Sequence, residues 1–353
     1  MTIESIVLVG NFSAGNLESS YQHAFSAIGV HTHTFDVDES RYLLNWLMRN
    51  RITHRLTIGS RIVRKNTSRA FNRSLESFVL RSKAPAVLVF GGQFVMPETL
   101  HNFRQKGIRV SIYFADNPFP PHCNHRPETL PAARETDLYL IWSERLVEKL
   151  GDAGVSNPVF LPFAWDPEAF PYQDTQPQGR WPGVLFLGGW DIEREDFLEQ
   201  LAAHIPLRIY GPAYWGNRTK TRSRVRNCWQ GSELRLANAA RVIRESAISL
   251  NLLRTQHIID GEPDGLIMRH FEVPGSGGFL LSTRGGGATT LFPEEKCGEY
   301  FSDFSECLDK VKHYIANESG RRGLANSAHA EVAAHHKYTD RARQIIRLLD
   351  DCR

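Results

Sequence analysis

The sequence predicts an α/β protein built as two parallel-sheet halves. Three observations carry that reading. Short apolar, β-branched runs alternate with helical stretches: Ile6-Val-Leu-Val9, His31-Thr-His-Thr-Phe35, Ala86-Val-Leu-Val-Phe90, Arg109-Val-Ser-Ile-Tyr-Phe114 and Asp137-Leu-Tyr-Leu-Ile-Trp142. Such alternation builds strand–helix–strand units on a parallel sheet. The pattern breaks from Pro162 to Pro182, which holds five prolines and few periodic apolar positions, the texture of a linker. It then restarts at Val184-Leu-Phe-Leu187.

The elements follow in order. The first strand ends at Gly10, and an amphipathic helix from Glu18 to Ile28 leads to the second. The turn at Gly10 lacks G-x-G-x-x-G, so the dinucleotide fingerprint is missing. Residues 40–80 are helical in character, and a helix near Pro97–Lys106 precedes the strand that ends in Ala115-Asp116-Asn117-Pro118. Ser143 caps a helix running to about Gly151. Val159-Phe-Leu161 closes the first half. In the second half Glu193–Ala203 is a helix, Leu207-Arg-Ile-Tyr210 a strand, and Ile248-Ser-Leu-Asn-Leu-Leu253 another. Helices around Phe304–Ala316 and Arg321–His335, and a last one from Tyr338, finish the chain. No repeat of fixed period is present beyond the restart of α/β units.

Composition bounds the function classes. At 353 residues, 41% hydrophobic and 23% charged, the chain fits two globular domains of ordinary size. No run approaches the length of about 20 apolar residues that a membrane span needs. The N-terminus enters a strand-like run directly, without a basic and then apolar leader, so no export signal is expected. The cysteines (Cys123, Cys228, Cys297, Cys307 and Cys352) form no C-x-x-C pair and read as reduced thiols of a cytoplasmic protein. Net charge is +3, with basic runs at Arg49–Arg73 and at Arg218, Lys220, Arg222, Arg224 and Arg226. Such runs suit a solvated face or an anionic partner, including nucleic acid or a peripheral membrane contact.

The stretch Asp264–Thr283 concentrates the candidate chemistry. It reads as a glycine-bearing approach, a helix start with Glu272, a Gly275-Ser276-Gly277-Gly278 turn and a buried strand at Phe279–Leu281. Glycines in a helix–strand passage let the backbone approach a phosphate-bearing ligand, and they also serve plain turns. Asp264 suits a helix N-cap or a ligand contact, and Asp116 an ordinary turn or a strand-end site residue. His122 and His125 supply candidate general bases. With Cys123 they lack a suitably spaced fourth ligand, so no metal site is expected.

The C-terminal half resembles glycosyltransferases of GT-B fold, most closely the CgeB-like, spore-maturation branch of the group 1 transferases. The pieces that carry the resemblance are Phe186-Leu-Gly-Gly189 with Arg194, Leu207-Arg-Ile-Tyr-Gly211, Ser249-Leu-Asn-Leu-Leu-Arg254, Met268-Arg-His-Phe-Glu272, Gly277-Gly-Phe-Leu-Leu-Ser282 and His336-Lys-Tyr-Thr-Asp-Arg341. Phe114-Ala-Asp-Asn-Pro118 and Val159-Phe-Leu-Pro-Phe163 stand in the expected order before them. The resemblance spans about residues 110–350.

It implies two Rossmann-like domains facing across a cleft: an acceptor-side domain at 1–165, a linker at 166–182, a donor domain at 183–335 and a C-terminal helix at 336–353 that crosses back. It further implies a retaining, metal-independent transfer from a nucleotide-diphosphate sugar, with no cofactor, to an acceptor that is a glycan, small molecule, protein or nucleic acid. Glu272 would bind the ribose hydroxyls, and Gly188, Gly189, Gly211 and the Gly275, Ser276, Gly277 and Gly278 backbone would hold the diphosphate. Arg269 would neutralise the leaving phosphate, Asp264 stands where a sugar-contacting glutamate is common, and Asp116 and His122 would lie on the acceptor side. A catalytically silent scaffold, and an epimerase or phosphorylase on the same fold, are the competing readings.

Overall fold

The first sheet has six short strands, four of them largely buried apolar runs. They are β1 (Ser5–Gly10), β2 (His31–Asp36), β3 (Ala86–Phe90), β4 (Arg109–Phe114), β5 (Leu138–Ile141) and β6 (Pro158–Phe160). Their order is β2-β1-β3-β4-β5-β6, and every neighbouring pair is parallel. Ile6–Val9, Ala86–Val89 and Leu138–Ile141 are buried on both faces, which is why these strands read as continuous apolar runs. Helices α1 (Leu17–Ala27), α2 (Val37–Ser40), α3 (Arg61–Ser82), α4 (Pro97–Gln105), α5 (Thr129–Arg134) and α6 (Glu144–Asp152) connect them. Ser143 caps α6 as expected, its Oγ accepting the Leu146 N–H at 3.1 Å. The computed structural model describes residues 3–40, 61–92, 94–122, 128–173 and 180–352. Cys123, His125 and much of the Arg49–Arg73 run lie outside them.

The second sheet repeats the plan. Strands β7 (Trp181–Leu187), β8 (Leu207–Tyr210), β9 (Ser246–Asn251), β12 (Leu280–Thr283) and β13 (Tyr300–Phe301) stand in the order β13-β12-β9-β7-β8. All pairs are parallel. Pro182 is tolerated near the start of β7 because the register shifts there, between Trp181 and Val184. Helices α7 (Ile192–Leu201), α8 (Tyr214–Arg218), α9 (Arg224–Cys228), α10 (Leu236–Glu245), α11 (Arg269–Gly275), α12 (Gly286–Leu291), α13 (Phe304–Ala316) and α14 (Glu318–His335) surround it. Val184, Phe186, Ile248, Leu250, Phe279 and Leu281 form the core with Leu198 and Trp215. A small antiparallel hairpin, β10 (Ile258–Ile259) with β11 (Glu262–Pro263), interrupts the α/β order. Its turn places Asp260 and Gly261 at φ 53° and 83°, the Asp-Gly signature of a tight hairpin.

The chain divides into two units, Met1–Leu161 with Thr339–Arg353, and Pro162–Tyr338. The last helix, α15 (Tyr338–Asp351), therefore lies almost wholly with the first unit. There Arg109 pairs with Asp350 at 3.4 Å. The beginning of the expected linker is tied to the second unit. Trp165 donates its N–H to the His336 carbonyl (2.8 Å) and accepts from the Tyr338 N–H (3.2 Å). Tyr172 stacks on His329 at 3.7 Å, and buried Arg244 donates to the Pro171 carbonyl (2.6 Å) and to Gln173 Oε1 (3.0 Å).

Two expected ligand glycines sit under this segment. A Cβ on Gly275 would fall 2.4 Å from the Trp165 indole, and one on Gly277 would fall 2.9 Å from the Tyr172 ring. The close approach predicted for the glycine turn is thus made to the chain's own aromatic side chains. Gly275→Ala is expected to destabilise the second unit by about 1–3 kcal/mol through overpacking. Gly151→Ala, in α6 with open space around it, should leave the melting temperature unchanged or raised. Thermal melts of the two variants check the contrast.

Candidate functional site

In an open parallel sheet, loops that leave neighbouring strands in opposite directions open a crevice at the carboxyl ends. In the second sheet the order reverses between β7 and β9, so the crevice lies between the loops that follow Leu187 and Asn251. Gly188 and Gly189 begin the first loop, and Leu252-Leu253-Arg254 forms the second.

Three arginines meet there. Arg194, on α7, is buried and reaches both loops, donating from Nη1 to the Gly189 carbonyl (3.1 Å) and from Nη2 to the Leu252 carbonyl (2.5 Å). Asp191 caps α7 by accepting the Arg194 N–H at 2.9 Å, and its Oδ2 lies 3.5 Å from Arg194 Nε and 3.3 Å from Arg254 Nε. Burial, reinforced by the nearby Arg254 and Arg269 charges and opposed by Asp191, lowers the Arg194 pKa to about 10. Arg269, the first residue of α11, donates from Nε to the Leu187 carbonyl at 3.3 Å and pairs through Nη1 with Glu272 Oε2. Desolvation lowers its pKa to about 10, so Arg194 and Arg269 both stay cationic at neutral pH. Arg254 is the most exposed of them and lies over Gly189, where an added Cβ would stand 3.3 Å from Nη2.

The structure brings together Gly188, Gly189, Arg269 and Glu272. Glu272 is buried in the first turn of α11 with one carboxylate oxygen engaged by Arg269. Four of the expected glycines, Gly211, Gly275, Gly277 and Gly278, have other work. Gly211 gives its N–H to the Ser232 carbonyl, and a Cβ there would lie 2.2 Å from the Gly188 carbonyl, so it is a packing glycine. Gly278 would collide with Ile243 in the same way, at 2.2 Å. The turn from Gly275 is the C-terminal end of α11, whose first turn carries Glu272. The N–H groups of Ser276, Gly277 and Gly278 donate to the Glu272, Pro274 and Val273 carbonyls, and Gly277, at φ 83°, closes the helix. No amide cradle is left at that turn. The main-chain N–H groups of Gly189, Leu266 and Met268 make no hydrogen bond among the described residues. Gly189 lies in the loop after β7, and Met268 directly precedes Arg269.

Asp264 is buried beside the first turn of α12. A Cβ on Gly287 would lie 3.4 Å from its Oδ1, and the Gly287 N–H donates to its main-chain oxygen at 3.2 Å. A carboxylate is stabilised at such a helix start, so Asp264 serves α12 and does not cap α11, whose N-cap is Met268. In the first unit Asp116 and His122 follow β4, and the Asp116 carbonyl accepts the Trp142 indole N–H at 3.2 Å. The reversal of that sheet lies between β1 and β3, away from them. The polar cluster at the end of β1 is Asn11, Glu18, Asp36 and Asp38. Burial, with smaller effects from the two aspartates, pushes the Glu18 carboxyl up.

Arg254, Asp191 and Glu18 were not singled out as site residues in the sequence. A signal existed for the first two: an arginine at the end of a buried strand run, and Asp-Ile-Glu-Arg as a helix N-cap. Two residues of the basic run after β8 are paired with carboxylates of α7. Lys220 meets Asp196 at 3.1 Å and Arg224 meets Glu199 at 3.2 Å. Among the described residues no three His, Cys, Asp or Glu side chains gather as a metal site, and no helix is long and apolar enough to cross a membrane.

Known proteins can now be compared. Residues 194–347 match the model of a family described as glycosyl transferase-like. Sucrose-phosphate synthase from Thermosynechococcus elongatus superposes with a TM-score of 0.66 at 14% identity, covering 98% of each chain. The lipopolysaccharide outer core galactosyltransferase WaaB gives 0.61 at 12% identity, over 98% of this chain and 99% of that one. Anabaena Alr3699/HepE, solved in complex with UDP, gives 0.61 at 10% identity with the same coverage. The fold is GT-B. No curated protein matches the chain, and nothing in these likenesses singles out the CgeB-like branch.

A buried network holds α11 of this GT-B chain against its sheet. His270 Nδ1 faces the Ile267 N–H at 3.2 Å, which leaves Nε2 to donate to Ser282 Oγ at 3.1 Å. Ser282 also accepts from Asn251 Nδ2 at 2.8 Å. Burial lowers the His270 pKa to about 4, from 6.5 when free. Between those values the unfolded chain binds a proton that the folded chain refuses, so stability falls as pH drops from 6.5 towards 4. The contribution lost is on the order of 3 kcal/mol. Melting curves across this range should fall more steeply for the wild type than for His270→Gln, which keeps a donor and an acceptor without a titration.

Proposed function

We propose that the chain transfers a glycosyl group from a nucleotide-diphosphate sugar, bound by its second unit, to an acceptor hydroxyl. The observation that carries this reading is the set of guanidinium groups with Glu272 at the β7–β9 crevice. A diphosphate is met there by Arg254 and Arg269, and by the unengaged N–H groups of Gly189 and Met268. Arg194 reaches it only through the loops it holds. The Glu272 carboxylate accepts from the ribose hydroxyls through the oxygen that Arg269 leaves, since a carboxylate suits a vicinal diol. The glycosyl transferase-like match over residues 194–347 covers all of these groups except the Gly188-Gly189 loop and Asp191.

The chemistry follows from where charge grows. As the sugar–oxygen bond breaks, negative charge accumulates on the departing diphosphate, and preorganised cations stabilise that state more than the ground state. In this reading guanidinium groups and amides do that work, and no divalent cation is required. The acceptor belongs to the first unit, where the switch between β1 and β3 and the carboxyl of Glu18 offer the polar groups.

Nucleoside diphosphates should raise the melting temperature, by about 2.7 kcal/mol of linkage at a hundred times Kd. Glu272→Ala should abolish nucleotide-sugar turnover while retaining the fold, and turnover should survive a chelator. Undiminished turnover by Glu272→Ala contradicts the donor site, and loss on chelation contradicts the metal-free step.

A further inference from the structure

We propose that Trp190, Arg218 and Tyr214 form the seat of the donor's nucleobase and determine which base is accepted, an inference that rests on the donor site above. Trp190 directly follows Gly189, so this stack begins one residue from the phosphate loop. The Arg218 guanidinium lies 4.5 Å from the Tyr214 ring centre and 5.5 Å from that of Trp190. The indole is fixed by donating its N–H to Glu195 Oε2 at 2.7 Å. Tyr214, at the start of α8, is 52% exposed.

The charge of this stack sets it apart from its surroundings. Lys220 and Arg224 have carboxylate partners on α7, whereas Arg218 has none among the described residues and faces only rings. A bare guanidinium beside an exposed ring recognises a planar, electron-rich group that carries hydrogen-bond acceptors on its edge. A nucleobase with carbonyl oxygens has that chemistry, stacking on the ring face while its edge accepts from the fork. The position also fits, because Trp190 directly follows Gly189 of the loop that meets the diphosphate.

Isothermal titration of the full chain with UDP, GDP and pyrophosphate tests the assignment. Tyr214 and Arg218 are surface residues outside the core, so Tyr214→Ala and Arg218→Ala are expected to fold. Each should weaken the tighter-binding nucleoside diphosphate by about tenfold, the usual scale of a lost base stack. Pyrophosphate affinity should not change. Variants that bind the nucleotide as the wild type does, or that lose pyrophosphate equally, overturn the base seat while leaving the donor site standing. A wild type that binds neither nucleotide nor pyrophosphate overturns the donor site, and the base seat falls with it.

Discussion

One buried guanidinium holds the crevice together. Arg194 bridges the Gly189 and Leu252 carbonyls, and so fastens the loop after β7 to the loop after β9 at the point where the sheet order reverses. Without that link the two loops would be joined only through Arg254, which pairs with Asp191 and lies over Gly189. Burial alone would disfavour the charge, and it does pull the pKa down. Two carbonyls and Asp191 are what keep the cation in place. A buried charge with partners this well aligned is strongly destabilising to break.

The same logic governs helix α11. Its first turn presents Arg269 and Glu272 to the crevice, while His270 turns inward to Ser282 and Asn251. Its last turn is closed by Gly277 and covered by Trp165 and Tyr172. Each end of this short helix is therefore held by a different device: a neutral imidazole at one and an aromatic cover at the other. A seven-residue helix has little stability of its own, and its site residues depend on those contacts.

Much of the fold could be read from the sequence, because strands buried on both faces leave unbroken apolar runs such as Ala86–Phe90 and Val184–Leu187. The hairpin at 258–263 escaped that reading, since two-residue strands carry no periodicity, although Asp260-Gly261 marked its turn. The site was half legible. Glu272 and Arg269 stand together because one helical turn separates them. The glycines misled, because a Cβ clash with Trp165 or Ile243 and a close approach to phosphate demand the same residue. Only the three-dimensional neighbour tells them apart. Asp191 and Arg254, far apart in sequence, become partners only when β7 and β9 pair.

The central claim is that a diphosphate binds at the β7–β9 crevice and not at the glycine turn. Hydrogen–deuterium exchange of the full chain, with and without a saturating nucleoside diphosphate, tests it most directly. The account predicts protection in the loop after Leu187 and at Met268, beside Arg269, where the Gly189 and Met268 N–H groups are unengaged among the described residues. It also predicts no change in the amides of Ser276–Gly278, which are already bonded. Protection confined to Ser276–Gly278, or to the first unit, would contradict it.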